Sequence, residues 1–166
     1  EHHAVRRDAG MFDVSHMRVV DLDGVGAVGF LRRLLANDVG RLGERGKALY
    51  SCMLNERGGV IDDLIVFYRD PGRYRMVVNA ATADKDLAWI GVQAEGHDVA
   101  IQPREDLSLI AVQGPHARGK AAPLLPSDLR ATALALKPFF AAENAQWFVG
   151  RTGYTGEDGF EIMCPA

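Results

Sequence analysis

Two adjacent aspartates, Asp62 and Asp63, interrupt an otherwise apolar run, GGVIDDLIVFY, at residues 58–68. In a β-strand, neighbouring side chains point to opposite faces, so each aspartate shares a face with apolar neighbours. A carboxylate in such a place must accept hydrogen bonds, pair with a cation or take up a proton. Each aspartate is therefore a candidate for acid–base chemistry, because desolvation raises the pKa of a carboxyl towards neutrality.

A purely structural role for the two aspartates is the alternative. One of them would accept backbone N–H bonds at a bend, and the other would be solvated at a sheet edge.

Residues 50–68 as a whole predict a β-hairpin, with a turn at 55–58 (NERG) where Asn and Gly tolerate positive φ. A four-residue turn would put Tyr50 directly across from Asp63 on the same face. A phenol beside a carboxylate would make a suitable rim for a polar ligand.

A third strand and two helices are predicted around this hairpin. Residues 74–78 follow a Pro-Gly turn, which favours a three-stranded antiparallel meander. Residues 26–36 and 80–96 have the apolar spacing of helices. Asp84 and Asp86 fall in the first turn of the second helix, where the helix dipole favours negative charge. Asn79, at the end of the third strand, either hydrogen-bonds a ligand or merely begins that helix.

A new unit is predicted to begin near residue 105, after which strands are predicted at 107–112, 146–152 and 159–163. Glu161 lies inside the last of these strands, where it either needs a buried partner or faces solvent at an edge. The order of elements predicts an α+β fold of antiparallel sheets with flanking helices. We expect residues 1–20 and 105–166 to form one discontinuous α+β domain, with residues 21–104 as an inserted antiparallel α+β domain.

The composition is that of an ordinary globular protein, with 166 residues, 48% hydrophobic and 25% charged. The net charge of −3 gives no basic field for nucleic acid, and no apolar run has the length of a membrane span. Cys52 and Cys164 lack metal-ligand spacing, as does His16, so we predict reduced thiols and no metal site. Both ends of the sequence suggest a fragment of a longer chain.

Five separated strings resemble one known family. They are MFDVSHM at 11–17, GGVIDDLIV at 58–66, VVNAATADKDLAW at 77–89, AVQGP at 111–115 and RTGYTGEDGFE at 151–161. Together they resemble the aminomethyltransferases, the T-proteins of the glycine cleavage system, over essentially the whole chain. Known members of this family are longer at both ends. They have an N-terminal segment before this sequence and, after it, a C-terminal domain that helps to close the folate pocket.

The resemblance implies a transferase that takes an aminomethyl group from the lipoyl arm of H-protein, releases ammonia and leaves methylene-tetrahydrofolate. Tetrahydrofolate would be the co-substrate, and lipoate would be carried by the partner H-protein. The fragment alone is expected to be inactive. The expected compartment is the bacterial cytoplasm, or the mitochondrial matrix in a eukaryote, with no nucleic-acid or membrane partner.

The same resemblance implies roles for six residues. Asp63, the second aspartate of the family's GG-x-x-DD motif, would be catalytic by hydrogen-bonding the bridge nitrogen of the folate. The residues that would line or bind the folate are Met17, Tyr50, Asn79, Tyr154 and Glu161. Glu161 suits the pterin because its two oxygens can accept a pair of parallel N–H donors.

Two other functions on the same fold are alternatives to the transferase. One is the folate-binding domain of a sarcosine or dimethylglycine oxidase, and the other is a non-enzymatic folate-binding scaffold. A flavin-binding domain upstream in the parent protein would favour the oxidase. A cysteine-containing signature, which this sequence lacks, would favour a scaffold that assembles iron–sulfur clusters.

Overall fold

The computed structural model describes residues 1–166, which form two compact units. One unit comprises Glu1–Ser15 and Asp106–Ala166, and the other comprises His16–Glu105. None of the helices has the length and apolar character needed to cross a lipid bilayer. The predicted domain limits at residues 20 and 105 stay a prediction.

The regular elements, in chain order, are α1 (His2–Arg7), β1 (Gly10–Asp13), β2 (Arg18–Asp23), α2 (Ala27–Leu34), β3 (Ala48–Leu54), β4 (Val60–Asp70), β5 (Arg73–Val78), α3 (Ala83–Ala94), β6 (Ala100–Pro103), β7 (Leu107–Gln113), α4 (Ala117–Ala121), α5 (Ser127–Ala135), β8 (Phe140–Glu143), β9 (Phe148–Arg151) and β10 (Gly159–Pro165). Single 3₁₀ turns occur at Val39–Arg41 and Ala122–Leu124.

The unit His16–Glu105 is built on a five-stranded antiparallel sheet with the order β3-β4-β5-β2-β6. The predicted meander is its first three strands. One face of the sheet packs its apolar side chains against α2 and α3, and Phe30, Leu31 and Leu34 of α2 are buried there as the apolar spacing predicted. Asp62 lies on this helix-covered face with Leu64 and Val66, and Asp63 lies on the opposite face.

The predicted hairpin forms, but its register differs from the prediction. Tyr50 pairs with Ile65, and Asp63 pairs with Cys52. The loop has five residues rather than four, because the Asn55 side chain accepts the N–H groups of both Arg57 and Gly59 at 2.9 Å. A bulge then shifts the register between Met53 and Leu54. The two changes together displace Tyr50 by two residues, which keeps it on the face of Asp63.

A buried ion cluster crosses the sheet of this unit. Asp21 on β2 is 3% exposed and Arg75, its cross-strand partner on β5, is 4% exposed. Arg75 Nε and Nη2 donate to the two oxygens of Asp21 at 2.6 and 2.8 Å. Arg104 and Arg69 also donate to Asp21 Oδ2, at 2.7 and 3.3 Å. Burial alone would raise the pKa of Asp21, but these arginines hold it below its usual value.

The other unit has a second five-stranded antiparallel sheet, with the order β1-β7-β10-β9-β8. Its core contains side chains from α4 and α5 together with Val112, Val149, Phe160 and Ile162. Strand β10 is central because it pairs with β7 on one side and β9 on the other. The predicted fold class, α+β with antiparallel sheets and flanking helices, is confirmed.

Candidate active site

Four of the predicted site residues lie together at one end of the sheet in the unit His16–Glu105. Leu64 on β4 pairs with Val78 on β5, so the adjoining residues Asp63 and Asn79 lie across from each other at the end of these strands. Met17 and Asn79 flank the pair Arg18–Val78 in the same way. Met17, Asn79 and Asp63 therefore lie in one row across three strands. Tyr50 lies diagonally beside Asp63 on β3, within reach of a long side chain.

Asp63 is held through both of its carboxyl oxygens. The exposed Tyr50 hydroxyl donates to Oδ2. Asn79 Nδ2 donates to Oδ1 at 2.7 Å and to the Asp63 backbone carbonyl at 3.1 Å. An ionised carboxylate has about four acceptor positions, so the half-buried Asp63 side chain can accept further N–H or O–H donors. The arrangement orients a carboxylate without saturating it.

Asp62, by contrast, is surrounded by donors from its own unit. Its Oδ1 accepts from Asn79 Nδ2 at 3.0 Å and from the Asp63 backbone N–H at 2.8 Å, and its Oδ2 accepts from the Thr82 hydroxyl. Burial raises the pKa of this carboxyl, but the bonds from Thr82, Asp86, the Asp63 N–H and Asn79 outweigh burial and lower the pKa to about 2. Asp62 is thus an anionic anchor between β4 and the start of α3.

The expectation that both aspartates have pKa values raised towards neutrality is wrong for Asp62. The structural alternative is confirmed for that residue in part, because Asp62 accepts a backbone N–H. Asn79 does not cap α3, so the alternative in which it merely begins that helix is wrong, and its side-chain amide bonds both aspartates. A hydrogen bond from Asn79 to a ligand stays a prediction. The residue at the cap position of α3 is Thr82.

Asp86 is a residue of this cluster that was not predicted to belong to the site. It lies in the first turn of α3, as predicted, and it is fully buried. Burial and the neighbouring Asp62 carboxyl raise the pKa of Asp86 to about 6. The signal was present in the sequence, because Asp86 falls on the buried stripe of the helix between Ala83 and Ile90. A carboxylate on an apolar helix face must accept hydrogen bonds, pair with a cation or take up a proton, as must one on an apolar strand.

Glu161 lies in the other unit, where β10 carries it among buried residues. It pairs with Ala111 on β7 and Gly150 on β9, so it is not at an edge, and the solvated alternative is wrong. Burial raises the pKa of Glu161. The buried Thr152 hydroxyl, which lacks a well-formed hydrogen bond of its own, acts weakly in the opposite direction. A carboxyl so poorly supplied with donors fits a ligand that brings N–H groups.

Tyr154 is exposed in the loop that precedes β10. The loop turns through Gly153 and Gly156, whose φ values are +67° and +81°, with the Gly156 N–H bonded to the Gly153 carbonyl at 2.8 Å. Thr155 Oγ1 donates to Oε1 of the buried Gln113 at 3.0 Å and ties the loop to β7. The Tyr154 ring is therefore presented to solvent from an anchored loop.

A family model now accounts for the fold and these motifs. The model of the GCVT N-terminal domain matches residues 1–166. The chain belongs to this family. The resemblance to T-proteins drawn from the five sequence strings is confirmed.

Individual relatives agree with that assignment. The aminomethyltransferases of Bordetella bronchiseptica and Nitrosomonas eutropha are 61% and 56% identical over 100% of this chain. The chain spans about half the length of these curated relatives, 46% of each. The crystal structure of glycine cleavage system aminomethyltransferase T from Bartonella henselae has a TM-score of 0.88 and 38% identity, over 99% of this chain and 44% of that one.

A second solved structure is similar in fold alone. Heterotetrameric sarcosine oxidase from Corynebacterium sp. U-96 matches with a TM-score of 0.55 and 17% identity, over 95% of this chain and 75% of that one. At this identity the similarity does not favour the oxidase alternative over the transferase.

Proposed function

We propose that the chain is part of an aminomethyltransferase that moves the aminomethyl-derived one-carbon unit from lipoyl H-protein to tetrahydrofolate and releases ammonia. Aminomethyltransferases that match the whole chain at 56–61% identity support this reaction class. The observation that carries the proposal is the oriented but unsaturated carboxylate of Asp63 beside the Tyr50 phenol. H-protein and tetrahydrofolate are the proposed partners.

The residues present fit a reduced folate. A pterin has N–H donors on its amino-pyrimidine edge and an aromatic ring, so it needs carboxylate acceptors and aromatic side chains. Asp63 has acceptor capacity left at a partly exposed position, and Glu161 is a buried carboxyl with a shortage of donors. Tyr50 and Tyr154 are both exposed aromatic residues. We assign Glu161 and Tyr154 to pterin binding in their unit, and Met17, Tyr50 and Asn79 to lining the site in theirs.

Tetrahydrofolate would supply the nitrogen nucleophile that takes up the one-carbon unit. The part of Asp63 is to accept a hydrogen bond from a folate N–H and so to fix the orientation of the reacting nitrogen. Tyr50 and Asn79 hold the two oxygens of Asp63, which removes the freedom of its χ angles before the ligand arrives. A preoriented anion also favours positive charge that develops near it during the reaction, with little reorganisation.

The test is turnover by the longest natural protein that contains this chain, with aminomethylated H-protein and tetrahydrofolate, measured as ammonia release. Asp63→Asn should lower kcat by about 100-fold or more, as expected for a lost acid–base or orienting group. Tetrahydrofolate affinity should fall less than about tenfold, because one neutral-for-charged hydrogen bond changes. The matched control is Asp70→Asn on the same strand, which breaks a surface ion pair with Arg45 and should leave both values unchanged.

Two results would contradict the proposal. An unimpaired rate for Asp63→Asn would remove this residue from the chemistry. Transfer of the one-carbon unit to tetrahydrofolate from the flavin-generated imine of sarcosine, with release of glycine and without H-protein, would favour the oxidase alternative. The 166-residue chain alone should bind tetrahydrofolate weakly or not at all, and micromolar affinity in calorimetry would contradict that expectation.

A further inference from the structure

We propose that Asp86 and Asp62 share one proton, and that this buried carboxyl pair is a positioning element that sets the orientation of Asn79 and, through it, of Asp63. This inference deepens the proposed function and rests on it for its catalytic consequence. The shared proton itself follows from contacts within the unit His16–Glu105 and does not depend on the reaction.

The first step is that an ionised Asp86 side chain would lack hydrogen-bond donors in its surroundings. Both carboxyl oxygens are buried and have no hydrogen-bond donor. Thr82 has a single hydroxyl proton, which it donates to Asp62. Lys85 Nζ is 3.8 Å from Asp86 Oδ1, and it already donates to the Ile61 carbonyl at 2.8 Å. An unpaired buried carboxylate is costly, so the group takes up a proton instead.

The second step identifies the acceptor of that proton. Asp86 lies beside Asp62, because Lys85 Nζ is close both to Asp86 Oδ1 and to the carbonyl of Ile61, the residue before Asp62. Each carboxyl affects the other, so that Asp62 raises the pKa of Asp86 and Asp86 lowers that of Asp62. Two ionised carboxylates can only accept, whereas a protonated Asp86 donates to Asp62. Two neighbouring carboxyl groups of which one is fully buried hold one proton between them, because like charges disfavour double ionisation.

The surrounding charges agree with this assignment. On β4, Asp62 is itself a member of the pair, and Asp63 points away from the pair on the opposite face of the sheet. On α3 the nearest cation is Lys85, and burial outweighs its effect so that the pKa of Asp86 is raised to about 6. On α2, Arg33 is bonded to Gln93 Oε1 at 3.0 Å, about two turns further along α3.

The third step connects the pair to the candidate active site. Asn79 Nδ2 donates to Asp62 Oδ1 at 3.0 Å and to Asp63 Oδ1 at 2.7 Å. One amide group therefore bridges the anchor and the candidate catalytic carboxylate. Loss of the shared proton would place a second negative charge next to Asp62, and we expect the Asp62 side chain and its bond to Asn79 to shift. The orientation of Asp63 would then depend on pH in the range where the pair titrates.

The test on this chain is a ¹³C NMR titration of the aspartate carboxyl groups, with the side-chain amide signal of Asn79 followed in parallel. One carboxyl should titrate near pH 6, and the Asn79 amide shift should follow the same midpoint. Asp86→Asn should abolish both transitions, because an amide donates to Asp62 at every pH. The matched control is Asp84→Asn, in the same helical turn but exposed, which should leave both transitions in place. In Asp62→Asn the Asp86 midpoint should fall by about one unit or more.

The catalytic consequence needs kinetics of the longest natural protein that contains this chain. Asp86→Leu, which cannot donate, should raise KM for tetrahydrofolate about tenfold or more, while Asp86→Asn should rescue it and flatten its pH profile around pH 6. Ordinary midpoints near pH 4 for every aspartate, or an Asn79 amide that ignores the titration, would overturn the shared proton. Failure of the proposed function would look different, since the wild type would lack turnover while both NMR transitions remained.

Discussion

Replacing Asp21 by asparagine should destabilise the unit His16–Glu105 far more than the same change at Asp23, two residues away on β2. Both aspartates pair directly with an arginine on β5, Asp21 with Arg75 and Asp23 with Arg73. The two pairs differ in burial. The Arg75 and Asp21 side chains are 5% and 4% exposed, whereas those of Arg73 and Asp23 are 51% and 44% exposed.

The magnitude follows from what each asparagine leaves behind. At position 21 an amide cannot supply the negative charge that Arg75 needs, and one of its atoms becomes a donor facing guanidinium donors. Breaking a buried ion pair by removing one partner costs about 3–5 kcal/mol, because the other charge stays buried and uncompensated. At position 23 water solvates Arg73 as well as the carboxylate did, so the cost is about 0–1 kcal/mol.

The assay is urea unfolding at pH 7, followed by tryptophan fluorescence in a Trp147→Phe background. Trp89 on α3 then reports on the unit that contains both aspartates, because it packs against the core of that unit. The excess cost of Asp21→Asn should shrink as the pH falls below the usual carboxyl range. The sign follows from the lowered pKa of Asp21, whose contribution is present above the unfolded-state pKa and is lost as pH falls through the folded one. Equal losses for the two variants would refute the burial argument.

Two further predictions concern the stability of the same unit. The folded-state pKa of Asp86 is about 6 against an ordinary value of 3.8, so wild-type stability falls as pH rises between these values. Asp86→Asn should therefore gain up to about 3 kcal/mol relative to wild type at pH 8 and little at pH 4. Parallel stability–pH curves from urea unfolding would contradict this. Gly24→Ala should cost about 2 kcal/mol or more, since Gly24 has φ +153° and a Cβ there would lie 2.2 Å from the Asp98 carbonyl oxygen. Its control is Gly91→Ala on α3, where a Cβ meets nothing within 4 Å, and thermal unfolding should show a gain of about 0.5–1 kcal/mol.

The hairpin at residues 50–68 shows which features of a β-hairpin were predicted correctly although its register was wrong. Strand type, turn position and the face of each side chain could be predicted, because they depend on the alternation of residues. The register could not, because it depends on the Asn55 side chain closing a five-residue loop and on a bulge beyond it. The error was an even number of residues, so Tyr50 still reaches Asp63. An odd error would have moved the phenol to the other face of the sheet.

The tertiary partners of single carboxyl groups could not be predicted from the sequence. Asp62 and Asp86 are 24 positions apart and become partners only when α3 packs on β4. Glu161 could be placed in a strand from its neighbours, but its central position depends on β7 and β9 pairing around β10. These outcomes depend on tertiary pairing, whereas the resemblance of the five motifs supplied the candidate site residues without it.

The chain enters and leaves the unit His16–Glu105 through two strands that are hydrogen-bonded neighbours. Strand β2, near the entrance, pairs with β6, near the exit, and the Arg104 N–H donates to the Val19 carbonyl at 2.8 Å. Because its two chain ends are adjacent, such a domain can be inserted into a loop of another domain without distorting the host. Residues 16–105 therefore have the adjacent ends that domain insertion requires, and a short linker could join these ends to make a circular permutant.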